Sequence, residues 1–500
     1  MNQSKLKKLD NLKFYSKFFL IGIFTSFIFP PFFLIPVGFI VFPLLFFIIT
    51  KSSYKILSYK KNFISGFIYG LGFFTIYLFW IKEPFLVNSN TSNYFVFSYL
   101  LIIYCALYFG FIFILLKYFN KNILKLIMFP GLVIFFEFIC SNFIYGFPWF
   151  SFSLVHSNNI IGTTLVYYLG TYGLSYITIL VFIFPAIFFM NNYLYKKLFF
   201  YIYISIMIMI LGLISLKLNK KNEINYEKMT ISLVQLDYPI NQYTDITTSQ
   251  KKLNEIIAII KENNTDIMVF GENDFPFLMD QSNIELLQTN IKLNQNLIIG
   301  STRKEFDNYY NSLFSMSKKN IKKFDKKILV PFGEFLPFRS LLSFMENISG
   351  DIDFQKGSSE RILNFSNNYN FIPVICYEIM FFWKLLNKQN NQANFIVNLT
   401  NDSWFGNFSG PYQHFYFTKL RAAEFNKPIL RVSNNGVSGV INNNGDITDY
   451  IKLNEKKIKI TEIDISSNNI NYLGFHKIFL ILLLTSLILG FIFNKKNERI

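Results

Sequence analysis

Three polar side chains stand where apolar, strand-like runs end. Glu272 follows Ile267-Met268-Val269-Phe270-Gly271, and Cys376 closes Ile372-Pro373-Val374-Ile375 ahead of Tyr377-Glu378. Between them, Lys326 opens the string Lys326-Lys327-Ile328-Leu329-Val330-Pro331-Phe332-Gly333-Glu334. A thiol becomes a strong nucleophile when a base takes its proton and a nearby cation lowers its pKa. The same cation can steady the oxyanion that forms when the sulfur attacks a carbonyl. Carboxylate, ammonium and thiol thus supply the parts of covalent acyl chemistry. Spacing alone leaves a blander reading open, because a cysteine at a strand end is often only a packing residue. The other two thiols, Cys105 and Cys140, sit in apolar runs and read as small buried side chains. The three histidines, His156, His414 and His476, are far apart, and no cysteine or histidine spacing suits a structural zinc.

The elements that must position these groups belong to a polar zone, residues 222–470. Short β-rich runs occur at Met229–Gln235, Asp266–Phe270, Asn296–Ser301, Phe371–Ile375 and Asn394–Asn398. Helical patterns separate several of them, notably at Thr248–Lys261 and Tyr412–Phe425. Strands alternating with helices predict an α/β layered domain with chemistry at strand ends.

The rest of the chain is of another kind. Of 500 residues, 52% are hydrophobic, 63 are Phe and only 16% are charged, more apolar surface than a soluble protein can hide. Apolar runs cover about 18–29, 32–50, 63–81, 94–116, 124–141, 164–190 and 198–216, and another follows at 473–493. Seven spans in residues 1–221 and an eighth in 471–500 are therefore expected. Lys5, Lys7, Lys8, Lys13 and Lys17 precede the first run, which reads as an uncleaved span because no small-residue cleavage site follows. The formal charge of +17 falls largely in short clusters between runs: Lys51 to Lys61, Lys117 to Lys125, Lys196-Lys197 and the tail Lys495, Lys496 and Arg499. If eight spans alternate, these clusters share one side, which predicts cytoplasmic termini and an outward-facing polar domain. Lys217, Lys220 and Lys221 fall on the wrong side for this rule, but large domains cross largely regardless of charge. The charge pattern is that of membrane topology, and no nucleic-acid partner is expected.

The wording of the motifs narrows the chemistry. The set resembles the nitrilase superfamily, whose Glu-Lys-Cys triad sits on an αββα sandwich, and within it the membrane-embedded branch of apolipoprotein N-acyltransferases. The resemblance is carried by Lys326 to Glu334, by Cys376-Tyr377-Glu378, and by Asn398-Leu399-Thr400-Asn401-Asp402-Ser403-Trp404-Phe405-Gly406. It continues through Gly410-Pro411-Tyr412-Gln413-His414, Arg421-Ala422-Ala423-Glu424 and Arg431-Val432-Ser433-Asn434-Asn435-Gly436. In the apolar zone it includes Phe29-Pro30-Pro31-Phe32, Gly146-Phe147-Pro148-Trp149 and Tyr172-Gly173-Leu174-Ser175. Three departures stand out: Phe270-Gly271-Glu272 replaces the family's Trp-Pro-Glu, Gln235-Leu236 replaces Gln-Gly, and Tyr243 stands for a Trp.

The resemblance implies Glu272 as base, Lys326 as oxyanion cation and Cys376 as nucleophile. It implies support from Glu334, Tyr377 and Glu378, and aromatic walls for lipid at Tyr243, Trp404 and Phe405. His414, on a predicted helix, reads as a structural hydrogen-bonding residue. Glu137, costly to bury inside an apolar run, is expected to anchor the helices or face a lipid entrance. The implied reaction is a ping-pong transfer from a phospholipid, phosphatidylethanolamine by family likeness, to the amine of a diacylglyceryl-cysteine lipoprotein. A bacterial inner-membrane location and no cofactor or metal go with it. Two rival functions are a membrane-tethered nitrilase-type hydrolase and a ligand-binding receptor or transporter. The scarcity of charge within the spans argues against an ion-coupled transporter.

Overall fold

The computed structural model describes residues 3–51, 54, 57–87, 89–189, 193–219, 226–239, 245–342, 346, 352–364, 369–387, 389–466 and 475–496. The chain divides into two compact units. One comprises Met1–Lys82, Val96–Lys220 and Gly474–Ile500, and the other Glu83–Phe95 and Lys221–Leu473.

The first unit is helical. Its main helices are α1 (Gln3–Ser26), α2 (Ile35–Thr50), α3 (Tyr59–Tyr77), α4 (Tyr99–Tyr118), α5 (Asn122–Asn142), α6 (Ile160–Ile183) and α7 (Tyr193–Leu218), with a C-terminal helix at Phe475–Lys496. Each apolar run falls largely on one of them. By length and composition, four segments among the described residues can cross a bilayer: Phe95–Tyr118, Asn122–Asn142, Ile160–Phe189 and Lys196–Leu218. Tyr59–Tyr77 joined to Phe79–Leu86 across a 69° bend would be a fifth, while Ile35–Thr50 and Phe479–Ile492 are apolar but shorter. On this test the expected eight spans are met by four helices, or by five.

Close backbone approach holds the bundle together. A Cβ on Gly22 of α1 would lie 2.1 Å from the Tyr69 carbonyl oxygen of α3, so only glycine lets the two helices meet. Glu137 is buried on α5, and Ser175 Oγ of α6 donates to its Oε1 at 3.5 Å.

The second unit is built on two six-stranded sheets. The first runs in the order β12 (Lys457–Ser466), β1 (Tyr226–Gln235), β2 (Ile267–Phe270), β3 (Asn296–Glu305), β4 (Asn308–Met316), β5 (Ile321–Asp325). The second runs β11 (Ile447–Ile451), β10 (Ser438–Ile441), β9 (Ile429–Ser433), β8 (Phe395–Thr400), β7 (Asn370–Ile375), β6 (Leu363–Asn364). The central pairs β1–β2, β2–β3, β7–β8 and β8–β9 are parallel. Parallel strands covered on both faces read as unbroken apolar runs, as Ile267-Met268-Val269-Phe270 does, and all four residues are buried.

Helix α8 (Ile246–Glu262) is amphipathic; Leu253, Ile256 and Ile260 enter a core with Met268, Phe270, Leu297, Ile299 and Phe314. Asp245 caps its N-terminus, accepting from the Thr247 N–H at 3.1 Å. Asp280 likewise caps α9 (Gln281–Asn290), from the Asn283 N–H at 2.8 Å. On the second sheet, α10 (Gly410–Phe425) is almost wholly buried and ends on left-handed Asn426 (φ 52°). The layered α/β domain expected from the sequence is therefore present, with strand and helix positions close to those read from residue patterns.

Gly300 of β3 fixes the turn after β2: its N–H donates to Gly271 O at 3.1 Å, and a Cβ there would lie 2.7 Å from Gly271 O, Glu272 Cα and Asn273 N. Gly300→Ala must push this backbone aside, and overpacking of this kind costs about 1–3 kcal/mol. The thermal midpoint of the purified variant is expected to fall by several degrees; an unchanged midpoint would show that the turn yields freely.

Candidate active site

The loops that follow β2, β5 and β7 bring Glu272, Lys326 and Cys376 together. Glu272, two residues past β2, is buried, and its N–H donates to Thr400 O of β8 at 3.3 Å, which links the two sheets. Lys326 follows β5 directly and is 1% exposed. Its N–H donates to Asn311 O at 2.8 Å, and its Nζ donates to Glu272 Oε1 at 3.1 Å and to Glu334 Oε1 at 2.9 Å. Asn311 Nδ2 of β4 also bridges the two carboxylates, at 2.8 Å to each. Glu334 is engaged on both oxygens, since its Oε2 accepts from the Val330 N–H at 2.8 Å. Among the described residues, Glu272 accepts side-chain hydrogen bonds only on Oε1.

Burial alone would lower the pKa of Lys326. The charges of Glu272 and Glu334, with Cys376 behind them, override it and hold the ammonium well above the ordinary lysine value. The group is therefore a permanent cation near neutrality and cannot act as a base.

Cys376 ends β7 with φ +50°, in the left-handed region that non-glycine residues seldom occupy. It begins a short 3₁₀ turn, Cys376–Met380. Burial pushes its thiol far up, Glu272 and Asp402 push the same way, and Lys326 and the Thr400 hydroxyl pull down. The resting sulfur is a neutral thiol under the influence of the same carboxylate and ammonium. The geometry thus gathers a protonated thiol, a fixed cation and a carboxylate with one oxygen free of hydrogen bonds from the described residues, which suits proton removal followed by attack on a carbonyl.

Glu378 is fully buried and acts as a clamp. Its Oε1 accepts from the N–H groups of Lys327 and Ile328 at 2.8 and 3.0 Å, and its Oε2 from the Ile375 N–H at 2.9 Å. Arg361 grips both oxygens at 2.7 Å and also donates to Pro373 O at 2.9 Å. One carboxylate thus ties the Lys326 loop to the Cys376 turn. Burial opposes its charge, but Arg361, the Ile375 N–H and the Lys326 charge hold its pKa below the usual carboxylate value.

Of the remaining residues singled out in the sequence, Tyr377 is buried edge-on against Phe381. Trp404 is 41% exposed and so is not a core residue, while Phe405 packs edge-on to His414. Tyr243 lies outside the described residues. Lys327, the neighbour of Lys326, meets Glu378 through its backbone only. His414 is fully buried beside Asp402 and Arg431. Sequence reasoning missed Asn311, Arg361, Asp402 and Arg431. Arg431, within the apolar run Ile429–Ser433, carried a usable signal, because a charge in a buried strand requires a partner.

Two measurements test this architecture. Arg361→Met leaves Glu378 buried without its cation and is expected to cost roughly 3–5 kcal/mol in unfolding stability. A single variant as stable as wild type would remove the clamp from the argument. Burial opposes the charge of Asp402, yet Arg431 and His414 hold its pKa at about 2. A carboxylate depressed on folding stabilises above its unfolded pKa and loses that contribution as pH falls through the folded value. Near-UV circular dichroism is therefore expected to persist to about pH 4 and to fade as pH approaches 2; loss already at pH 5 would contradict this.

Comparison with known proteins places this geometry in a family. Residues 230–468 match the carbon-nitrogen hydrolase model, and residues 21–184 match the apolipoprotein N-acyltransferase N-terminal domain. A Wigglesworthia glossinidia brevipalpis protein named apolipoprotein N-acyltransferase is 30% identical over 422 residues, covering 80% of this chain and 82% of that protein. A Rickettsia typhi protein of the same name is 29% identical over 457 residues, covering 87% and 89%. Among solved structures, Saccharomyces cerevisiae Nit3, a member of branch 10 of the nitrilase superfamily, matches at 16% identity with a TM-score of 0.35, covering 49% of this chain and 92% of that one. With four-fifths of a relative matched at this identity and both family regions present in order, the chain belongs to the apolipoprotein N-acyltransferase family.

Proposed function

We propose that this chain is an integral membrane enzyme of the bacterial inner membrane that moves a fatty acyl group from a phospholipid to the N-terminal amine of a diacylglyceryl-cysteine lipoprotein, through a thioester on Cys376. The observation that carries the reading is the buried cluster in which Lys326 bonds Glu272 and Glu334 beside a neutral thiol.

Glu272 Oε2 takes the thiol proton as the sulfur attacks the ester carbonyl, and Lys326 steadies the tetrahedral oxyanion. Glu272 returns the proton to the departing lysophospholipid oxygen, which leaves the acyl thioester. The lipoprotein amine then attacks, Glu272 accepts its proton, the amide forms, and the thiolate leaves to be reprotonated. Asp402 is unsuited to the base role because its pKa of about 2 makes it a poor proton acceptor. Glu334, bonded on both oxygens, orients Lys326.

The substrate class is supported by apolar side chains flanking the same loops. Phe332, Phe338 and Leu341 near Glu334, and Trp404 and Phe408 near Asp402, are all exposed. Exposed apolar side chains this close in sequence to the site suit acyl chains better than the small polar amides of a hydrolase. Phosphatidylethanolamine is the proposed donor. In the proposed topology residues 1–221 form seven spans, 222–470 the outward catalytic domain and 471–500 an eighth span, with both termini cytoplasmic. The segment Glu83–Phe95 groups with the catalytic unit, in keeping with an outward side for the lysine-poor loop at 82–93.

Intact-protein mass spectrometry after incubation with phosphatidylethanolamine vesicles is expected to show one added acyl group on wild type and none on Cys376→Ala. Glu272→Gln is expected to slow its formation roughly 10²–10⁴-fold, and Lys326→Met about 10²–10³-fold. Free fatty acid with no acylated lipoprotein peptide would point to the hydrolase instead, and an unmodified wild type under every lipid condition would defeat the scheme.

A further inference from the structure

Behind the nucleophile lies a second polar cluster that the acyl-transfer steps do not use. Asp402, His414 and Arg431 are each fully buried. Arg431 Nη2 donates to Asp402 Oδ2 at 2.7 Å, and Arg431 Nη1 donates to Asn398 Oδ1 at 2.8 Å and to Thr418 Oγ1 at 3.0 Å. Asp402 Oδ1 accepts from Thr400 Oγ1 at 3.1 Å and lies 2.8 Å from His414 Nδ1. The other ring nitrogen, His414 Nε2, lies 3.2 Å from the carbonyl oxygen of Cys376. Asp402 therefore reaches the nucleophile's backbone through His414.

The backbone route matters because Cys376 is left-handed, at φ +50°. A residue with a Cβ holds that conformation only when its surroundings over-determine it. Its carbonyl must also be satisfied in a site with little water. With its proton on Nε2 the imidazole donates to that oxygen, while Nδ1 accepts from Arg431 Nη2 at 3.2 Å and Phe405 faces the ring edge-on at 5.6 Å between ring centres.

We propose that His414, oriented by Asp402 and Arg431, is a positioning residue: by holding the Cys376 carbonyl it fixes the left-handed turn that aims the thiol at Glu272 and Lys326. The inference deepens the proposed reaction and rests on Cys376 being its nucleophile.

The test compares three variants of the full-length protein in detergent. In His414→Gln the amide can still donate to the Cys376 carbonyl. In His414→Asn the shorter amide reaches only the Asp402 side, and in His414→Phe neither contact survives. Two rates are read: alkylation of Cys376 by iodoacetamide, located by peptide mass spectrometry to separate it from Cys105 and Cys140, and acyl-thioester formation from phosphatidylethanolamine. His414→Gln is expected within about threefold of wild type in both. His414→Asn and His414→Phe are expected to be about 10–30-fold slower, as for loss of a hydrogen bond to a buried acceptor, with KM for lipid within about twofold. A His414→Gln as slow as His414→Phe, or a His414→Asn as fast as His414→Gln, would overturn the proposal. If His414→Phe does not fold, the Gln and Asn pair still decides. Alkylation needs no lipid, so the expected order of rates in a protein that forms no thioester would retain the positioning role and remove the acyl-transfer reading instead.

Discussion

The second unit is organised around one buried ammonium. Lys326 is 1% exposed, and it is a stable cation only because two carboxylates face it within 3.1 Å. Removing a charge from water costs several kcal/mol unless partners and hydrogen bonds compensate. Here the compensation comes from Glu272 after β2 and Glu334 in the loop beyond β5, bridged by Asn311 of β4. Charge balance at one nitrogen therefore fixes the loops after β2 and β5 relative to each other. Chemistry inherits the result, because a cation already oriented by fixed partners needs no reorganisation when an oxyanion develops beside it.

The thiol is governed by opposite logic. Nothing in its surroundings stabilises a resting thiolate enough to outweigh burial and the neighbouring carboxylates. The site keeps Cys376 protonated and controls where it points. Two buried carboxylates that face away from the reaction do this. Glu378, with Arg361, ties the turn after β7 to the Lys326 loop. Asp402, with Arg431, supports the His414 contact to the Cys376 carbonyl. Each buried charge is matched by an arginine whose planar fork suits a carboxylate. The strained φ of Cys376 is thus held from both flanks.

Much of this was legible in the residue pattern, for physical reasons. Parallel strands buried on both faces must be apolar throughout, so the runs ending at Phe270 and Ile375 marked strands, and the polar residue after each marked a site. Helix α8 showed its period through Leu253, Ile256 and Ile260. What stayed hidden was partnership. Arg361 and Glu378 are separated by two strands and a turn, and nothing in local pattern announces a pair formed by topology. His414 looked like any helical histidine until the chain brought its Nε2 to the Cys376 carbonyl. The helical unit was legible as apolar runs, yet length and composition admit only four or five clear spans, because α1 begins with a lysine-rich half and α2 has only 16 residues.

Under the proposed reaction, a thioester that awaits a lipid amine faces competition from water, and the arrangement around Lys326 bears on that contest. Hydrolysis requires a carboxylate free to orient and deprotonate a water molecule. Glu334 is occupied at both oxygens by Lys326, Asn311 and the Val330 N–H. Asp402 is committed to Arg431, Thr400 and His414, and Glu378 to Arg361 and three backbone N–H groups. Of Glu272 and Asp402, whose charges act on the Cys376 sulfur, Glu272 keeps one oxygen, Oε2, free of hydrogen bonds from the described residues. Under the proposed reaction, that oxygen receives the proton of whichever nucleophile reaches the thioester. Under that reaction, selection between amine and water falls to access. The same charge pairing that orients the oxyanion cation thereby leaves water with few bases to recruit.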